Sequence, residues 1–144
     1  MNVRIENRSP HPLPAYETAG AAGLDLRAWL PEAVTLQPLE RRAIPTGLYL
    51  ELPMGFEGQV RPRSGLSLKR GLTVINSPGT IDPDYRGEVM IPVVNLSGEP
   101  QQIADGDRIA QLVIARFERI DWEQVKSVTS DTGRSSGGFG STGI

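Results

Sequence analysis

The chain of 144 residues reads as all-β, an antiparallel sandwich or jelly roll, on three observations. Its apolar residues alternate with polar ones in short runs, as a half-buried strand requires. Gly (16) and Pro (12) close nearly every run, which favours turns and leaves little room for long helices. Strand patterns are not followed by helix patterns in the βαβ order of a parallel sheet, so antiparallel layers are expected.

Taken in order, the first strand is expected around Val3 and Ile5, the second over Leu24, Leu26 and Ala28, and the third over Leu48, Leu50 and Leu52. A fourth covers 56–63. "SGLSLKRG" (64–71) is the one plausible helix, opening on Ser64 as a cap and closing on Gly71 at the C′ position. Strands are next expected at 72–75 and 88–96, the latter interrupted by Pro92, which suits an edge or a bulge. "RIAQLVIARFERI" (108–120) is long enough for a helix, but its β-branched content and the preceding "ADGD" turn favour a buried strand. After Val128 the chain becomes polar and glycine-rich, "TSDTGRSSGGFGSTGI". The expected division is a β core at 1–128 and a flexible C-terminal arm at 129–144.

Composition narrows the chemistry. Aromatics are only 6%, so the core must be mainly Val, Ile and Leu. A chain of this size buries roughly 68–70% of its unfolded surface, enough for one core. There is no cysteine and one histidine, His11, in the proline-rich "SPHPLP"; thiolate and Ser-His nucleophilic systems are disfavoured, and His11 is expected to be a solvated loop residue. The formal net charge of -2 does not suit a nucleic-acid face. A small anion still has a place if local arginines, amides or a divalent cation supply positive potential. No apolar leader opens the sequence and no run approaches the roughly 18 apolar residues of a membrane span, so no membrane partner and a cytoplasmic location are expected.

Five segments carry candidate chemistry. "RPRSGLSLK" (61–69) places Arg63, Ser64 and Gly65 where a strand meets the helix, offering a forked cation, a hydroxyl, free amides and close backbone approach, the parts of a phosphate cradle. The plain alternative is a capped helix beside an exposed arginine. "AGLDLRA" (22–28) puts Asp25 on the opposite face from Leu24 and Leu26, either as a solvated acid or as a group orienting hydrated Mg²⁺, which takes few protein carboxylates. "GDRIAQL" (106–112) inserts Gln111 into a buried-looking strand, where its amide needs a backbone or phosphate partner. "NSPGTIDPDYRGE" (76–88) serves as a hairpin connection between 72–75 and 88–96, yet a hairpin needs neither Asn76 nor Tyr85. The tail's "GFGSTG" fits G-x-G-x-x-G spacing but lacks the strand and helix that a dinucleotide loop needs. Arg134 and Phe139 there suit a phosphate and a base better than a plain linker.

Together, in this order and over nearly the whole chain, "AGLDLRA", "RPRSGLSLK", "NSPGTIDPDYRGE", "GDRIAQL" and "RSSGGFGSTG" resemble the motifs of the homotrimeric dUTP pyrophosphatases (dUTP diphosphatases). The resemblance implies a distorted jelly-roll-like β-barrel or sandwich with one short helix, assembled as a homotrimer with three active sites, each drawing on three chains. Ser64 and Gln111 would come from one subunit, the hairpin from a second and the arm from a third. The activity implied is hydrolysis of dUTP at the α-phosphorus to dUMP and pyrophosphate, which limits uracil in DNA and supplies dUMP for thymidylate. Asp82 would position the attacking water and take its proton. Asn76, the main chain of Gly79, Thr80 and Ile81, and Met90 would hold uracil, with Tyr85 under the sugar. Arg63, Ser64, Gly65 and Gln111 would hold phosphate oxygens, Asp25 would orient Mg²⁺ through water, Arg134 would reach the γ-phosphate and Phe139 would stack on the base. Ser67 departs from the small apolar residue that family members often carry.

Two rival readings fit the sequence less well. A dCTP deaminase resembles this fold but uses a glutamate base in place of the Asp-x-x-Tyr arrangement, and Asp82 and Tyr85 are present. A non-catalytic nucleotide sensor would be favoured by loss of Asp82 or of the arm, and neither is lost.

Overall fold

The computed structural model describes residues 1–128. Among them are eleven strands and one helix: β1 Arg4–Asn7, β2 Leu24–Arg27, β3 Val34–Leu36, β4 Arg41–Ile44, β5 Leu48–Glu51, β6 Phe56–Arg61, α1 Ser64–Arg70, β7 Leu72–Val74, β8 Gly79–Ile81, β9 Ile91–Asn95, β10 Gln101–Ile103 and β11 Arg108–Arg116. The strands form four antiparallel sheets, ordered β2-β11-β6-β8, β4-β9-β7, β1-β5 and β10-β3. The four-stranded sheet meets the three-stranded one where β11 contacts β7 and β9. Among the described residues these sheets do not close into a barrel, so the layering is that of a sandwich.

Alternation explains which faces meet. Leu26, Ile44, Ile91, Val93, Leu112 and their neighbours are buried, and the core cluster is Leu, Ile, Val and two alanines, Ala28 and Ala110, with no aromatic ring in it, as the composition requires. The two fully buried polar residues among those described, Thr46 and Asn95, are satisfied. Asn95, fully buried, donates from Nδ2 to the carbonyls of Leu36 (3.0 Å) and Glu99 (2.8 Å) and accepts from the Ser97 amide and hydroxyl, which keeps its amide from being a buried unpaired cost.

Four expectations need correction. Pro92 lies in β9, the central strand of its sheet, not at an edge. The position tolerates it because N and C=O of one strand residue point the same way: Pro92 accepts from Ile75 N–H (2.9 Å) just beyond the end of β7, where no donor is needed in return. Second, Ser64 is the first helical residue of α1 and not its cap; Arg63 occupies the cap position without a side-chain cap bond, while Gly71 closes the helix in the left-handed conformation (φ 64°) as expected. Third, 76–88 is not a simple hairpin tip. β7 and β9 do pair, but β8 leaves that sheet in between and joins β6 in the other one. Fourth, His11 is not solvated: its side chain is mostly buried and its Nε2 donates to Asp105 Oδ1 at 2.9 Å.

That last contact ties the segment before β2 to the turn that launches β11. Asp105 Oδ1 also accepts the Leu30 N–H at 2.9 Å. The Leu30 amide, and then the His11 ring, hold the Asp105 carboxyl below the usual carboxylate range. A depressed folded value means stabilisation that is present above the unfolded carboxyl's pKa and is lost as pH falls through the folded one. Asp105→Ala is therefore expected to lower the melting temperature at neutral pH, with the gap to the parent chain narrowing in acid as the parent's own carboxyl protonates. Thermal unfolding of both proteins across that pH range checks it; a gap that does not change with pH contradicts the assignment.

Candidate functional site

The register of β11 gathers three of the five motifs. Gln111 stands opposite Asp25 of β2 on one side and opposite Arg61 of β6 on the other. Its Nε2 donates to the Pro62 carbonyl at 2.9 Å, the backbone partner that a half-buried amide needs. Gly23 makes room for it: a Cβ there would lie 2.3 Å from Gln111 Oε1.

Asp25, Arg63, Ser64, Gly65 and Gln111 then share one open cleft of about 730 Å³, joined by Glu17, Lys69 and Arg108. Asp25 is not a free solvated acid. Its Oδ1 takes Arg63 Nε at 2.8 Å and its Oδ2 takes Arg108 Nη1 at 3.0 Å, with the carboxylate largely screened from solvent. Arg63 also donates to the Arg108 carbonyl at 3.1 Å, and Arg108 reaches Glu17 at 3.4 Å. The arginine fork suits such bidentate, charge-assisted contacts.

Arg108 was missed by the sequence reading, and a bulge explains why. Ala110 and Leu112 point inward, so strict alternation would also turn Arg108 into the core. Instead the pairing shifts between Arg108 and Ala110, leaving Ile109 as an extra buried residue beside buried Ala110 and returning Arg108 to the Asp25 face. The signal in the sequence was that adjacent apolar pair after a charged residue.

The hairpin motif forms a second, smaller hollow of about 120 Å³. Val60, Ile81 and Val89 give it a buried apolar floor, and Asn76, Tyr85 and Met90 stand exposed at its rim. Gly79 and Thr80 complete one wall. An added Cβ on Gly79 would come within 3.1 Å of Asn76 Nδ2, so glycine there lets the Asn76 amide lie close. Asp82 is exposed and follows Ile81 at the end of β8, but it lines neither hollow. The two hollows share no lining residue. Arg134 and Phe139 lie outside the described residues.

A third hollow of about 420 Å³ between β1 and β5 is charged, with two of its three arginines paired to its acids. Glu51 pairs with Arg4 and Glu6 with Arg8, and the bond from Arg8 holds the Glu6 carboxyl below its usual range. Among the described residues no cluster of three or more His, Asp or Glu is assembled for a metal. The cleft's acids, Asp25 and Glu17, fit a cation that keeps most of its water and is held chiefly by phosphate, as Mg²⁺ is, and do not fit an all-protein cage.

The dUTPase family profile matches residues 9–143 of the chain. The chain is 54% identical over 143 residues to the deoxyuridine 5'-triphosphate nucleotidohydrolase of Finegoldia magna, with 99% of each covered. It is 56% identical over 142 residues to that of Cytophaga hutchinsonii, covering 99% of this chain and 92% of the relative. Among solved structures, a point mutant of Staphylococcus bacteriophage 80alpha dUTPase with dUpNHpp superposes with a TM-score of 0.86 at 27% identity, over 99% of both chains. A point mutant of the dUTPase from phage phi11 of S. aureus, described for its coordination of a structural Mg(II) ion, gives a TM-score of 0.78 at 27% identity, covering 90% of this chain and all of the other.

The ion-pair geometry makes one prediction without reference to any reaction. Asp25→Asn removes the anion that bridges two guanidiniums and offsets one of their charges, so inorganic pyrophosphate should bind more tightly in the absence of divalent metal. About 1 kcal/mol, roughly fivefold, is expected for a partly screened pair. Added Mg²⁺ should then help the variant less than the parent. Titration calorimetry with and without Mg²⁺ measures both; weaker metal-free binding by the variant would contradict it.

Proposed function

This chain belongs to the dUTPase family and is a dUTP nucleotidohydrolase, and from that premise we propose how its two hollows divide the work. The observation that carries the proposal is that one hollow has the size, apolar floor and polar rim for a base, while the other gathers Arg63, Ser64, Gly65, Gln111 and Arg108 for phosphates.

Uracil enters the smaller hollow, its Watson-Crick edge meeting the Asn76 side chain and the main chain of Gly79, Thr80, Ile81 and Met90. A site built to hydrogen-bond one edge rejects cytosine by leaving groups unpaired. Tyr85 packs under the deoxyribose and leaves no room for a 2′-hydroxyl. In the larger cleft Arg63, Ser64, Gly65 and the second Nε2 hydrogen of Gln111 hold phosphate oxygens. Asp82 orients a water and accepts its proton as the water's oxygen bonds to the α-phosphorus. The bond to the α,β-bridging oxygen breaks, and pyrophosphate leaves with that electron pair. Mg²⁺, bound to the triphosphate with its water shell oriented by Asp25, supplies charge neutralisation. Arg134 and Phe139 act from the arm at 129–144, on the γ-phosphate and the base.

We further propose that the complete site is shared between subunits of a homotrimer. Two observations support this. The floor of the base hollow, Val60 and Ile81, has the inward parity of the four-stranded sheet, whereas Asp25 and Gln111 have the outward parity. And Ile120, Trp122, Val125 and Val128, beyond β11, are all exposed, a run of apolar side chains that suits cover by another chain. No helix among the described residues is long and apolar enough to cross a membrane.

Pyrophosphate release from dUTP, UTP, dTTP and dCTP with Mg²⁺ tests the reading: dUTP should be strongly preferred, and ammonia from dCTP would restore the deaminase alternative. Asp82→Asn should keep nucleotide binding and lose on the order of 10²–10⁴ in turnover, the scale of a lost general base; robust release by that variant removes Asp82 from the role. Deleting residues 130–144 should leave the trimer intact, with the same number of subunits, and cut turnover on the order of 10²-fold. Unchanged kinetics would take Arg134 and Phe139 out of the site.

A further inference from the structure

Glu88 closes the hairpin motif without a role in the reading above, yet it fastens the C-terminal end of that motif to the body of the fold. Its Oε1 accepts two consecutive amides, Thr46 N–H at 3.1 Å and Gly47 N–H at 2.7 Å. The neighbouring main chain adds Val89 N–H to the Leu48 carbonyl at 2.8 Å, and Thr46 Oγ1 donates to the Val89 carbonyl at 2.7 Å. The receiving turn is itself wedged. Gly47 has φ 72°, and a Cβ there would lie 2.8 Å from both Ser9 N and Trp29 Cε3. Successive amides in such a turn form a concave donor pair that suits an anionic oxygen, and a carboxylate, an acceptor only, can satisfy both.

What hangs from Glu88 is Tyr85. The tyrosine hydroxyl donates to the Glu88 carbonyl at 2.9 Å, and the ring folds back so closely over Gly87 that a Cβ on Gly87 would come within 2.3 Å of Tyr85 Oη. The ring is exposed, so this tie and its bed on Gly87 hold its position. We propose that Glu88 is a positioning residue for sugar discrimination: its carboxylate pins residue 88 to the Thr46–Gly47 turn, and the pinned carbonyl fixes the Tyr85 ring where a 2′-hydroxyl would have to fit. The inference rests on the reading that Tyr85 packs under the deoxyribose. A steric test for one oxygen atom works only if the wall is held to a fraction of that atom's size.

The test is the ratio of kcat/KM for dUTP to that for UTP, which does not depend on how much of a variant is folded. Glu88→Ala should lower the ratio roughly tenfold, about the worth of one well-placed hydrogen bond, while Glu88→Gln, whose amide oxygen can accept the same two N–H groups, should restore it. Tyr85→Phe removes the tether and leaves Glu88 bonded to its turn, so it should lower the ratio as Glu88→Ala does, and it keeps the test decisive should the alanine variant fail to fold. Tyr85→Ala should abolish most of the discrimination. Loss in Tyr85→Ala with parental ratios in Glu88→Ala or Tyr85→Phe overturns the proposal and leaves Tyr85 as a self-supporting wall. An equal fall in Glu88→Gln and Glu88→Ala assigns the effect to charge and also overturns it. A parental ratio in Tyr85→Ala instead overturns the sugar reading of Tyr85, and the inference with it.

Discussion

Everything at the phosphate end of the site depends on the register of β11. Leu112 sits opposite Leu24 and Val60, and those residues face the core, so Gln111, Asp25 and Arg61 are carried together to the other face. A slip of one residue would expose Leu112 and bury Gln111. The apolar half of the sheet therefore positions the polar half: burying Leu26, Val60 and Leu112 is what brings distant motifs into one cleft. The bulge at Ile109 is the one departure from the rule, and it is spent on adding Arg108 to the same cluster. Core packing and catalytic layout are here two faces of one constraint.

The cluster's electrostatics resolve an apparent conflict between an acidic chain and an anionic substrate. With a formal net charge of -2, attraction to a triphosphate has to be local. Arg63 and Arg108 are placed to supply it, and Asp25 bridges the two, offsetting one of their two charges. Two guanidiniums held close without an anion would repel each other; the carboxylate preorganises them instead. Under the proposed function, a triphosphate with Mg²⁺ would offer oxygens to the arginines and a hydrated cation to the carboxylate, so each partner given up in the ion pair would be replaced. Asp25 thus holds the arginines in the empty cleft, a role the sequence did not suggest, and the cation role stays part of the proposal.

How much of this was legible follows from how much chain each feature needs to declare itself. Strands with several alternations, such as those around Leu24–Arg27, Leu48–Glu51 and Arg108–Arg116, announced themselves. Three of the four strands of three residues, Val34–Leu36, Gly79–Ile81 and Gln101–Ile103, did not, because three residues hold too little periodicity to tell a strand from a loop; Leu72–Val74 was legible as part of the longer apolar stretch 72–75. Arg41–Ile44 was missed for a different reason: three of its four side chains are exposed. At the site, chemically conspicuous groups in turn-rich stretches stood out. Arg108 did not, since its direction depends on a bulge, nor did Glu88, since its partners at Thr46 and Gly47 are over forty residues away. His11 was misjudged for the same reason, its partner Asp105 being distant in sequence. Local composition reveals what a residue can do; only pairing across the fold reveals what it touches.

The path of the chain between β7 and β9 explains why the base and phosphate hollows of one subunit are separate. A tight hairpin would have kept 76–88 on the β4-β9-β7 sheet. Instead β8 crosses to become the outer strand of β2-β11-β6-β8, placing the base hollow where the two sheets part, with inward-facing Val60 and Ile81 as its floor. Neighbouring strands lie roughly 4.8 Å apart, so β11 is about two strand widths inside the β8 edge. A nucleotide seated on that floor would have to turn around the edge and run back across the outer face of β6 to bring its phosphates to Gln111 and Arg63 of the same chain. A second subunit presenting its outward face to the mouth of the base hollow needs no such turn. Crossing between sheets is what sets the two hollows apart, and under the proposed reading that separation favours a site whose phosphates are met by another copy of the chain.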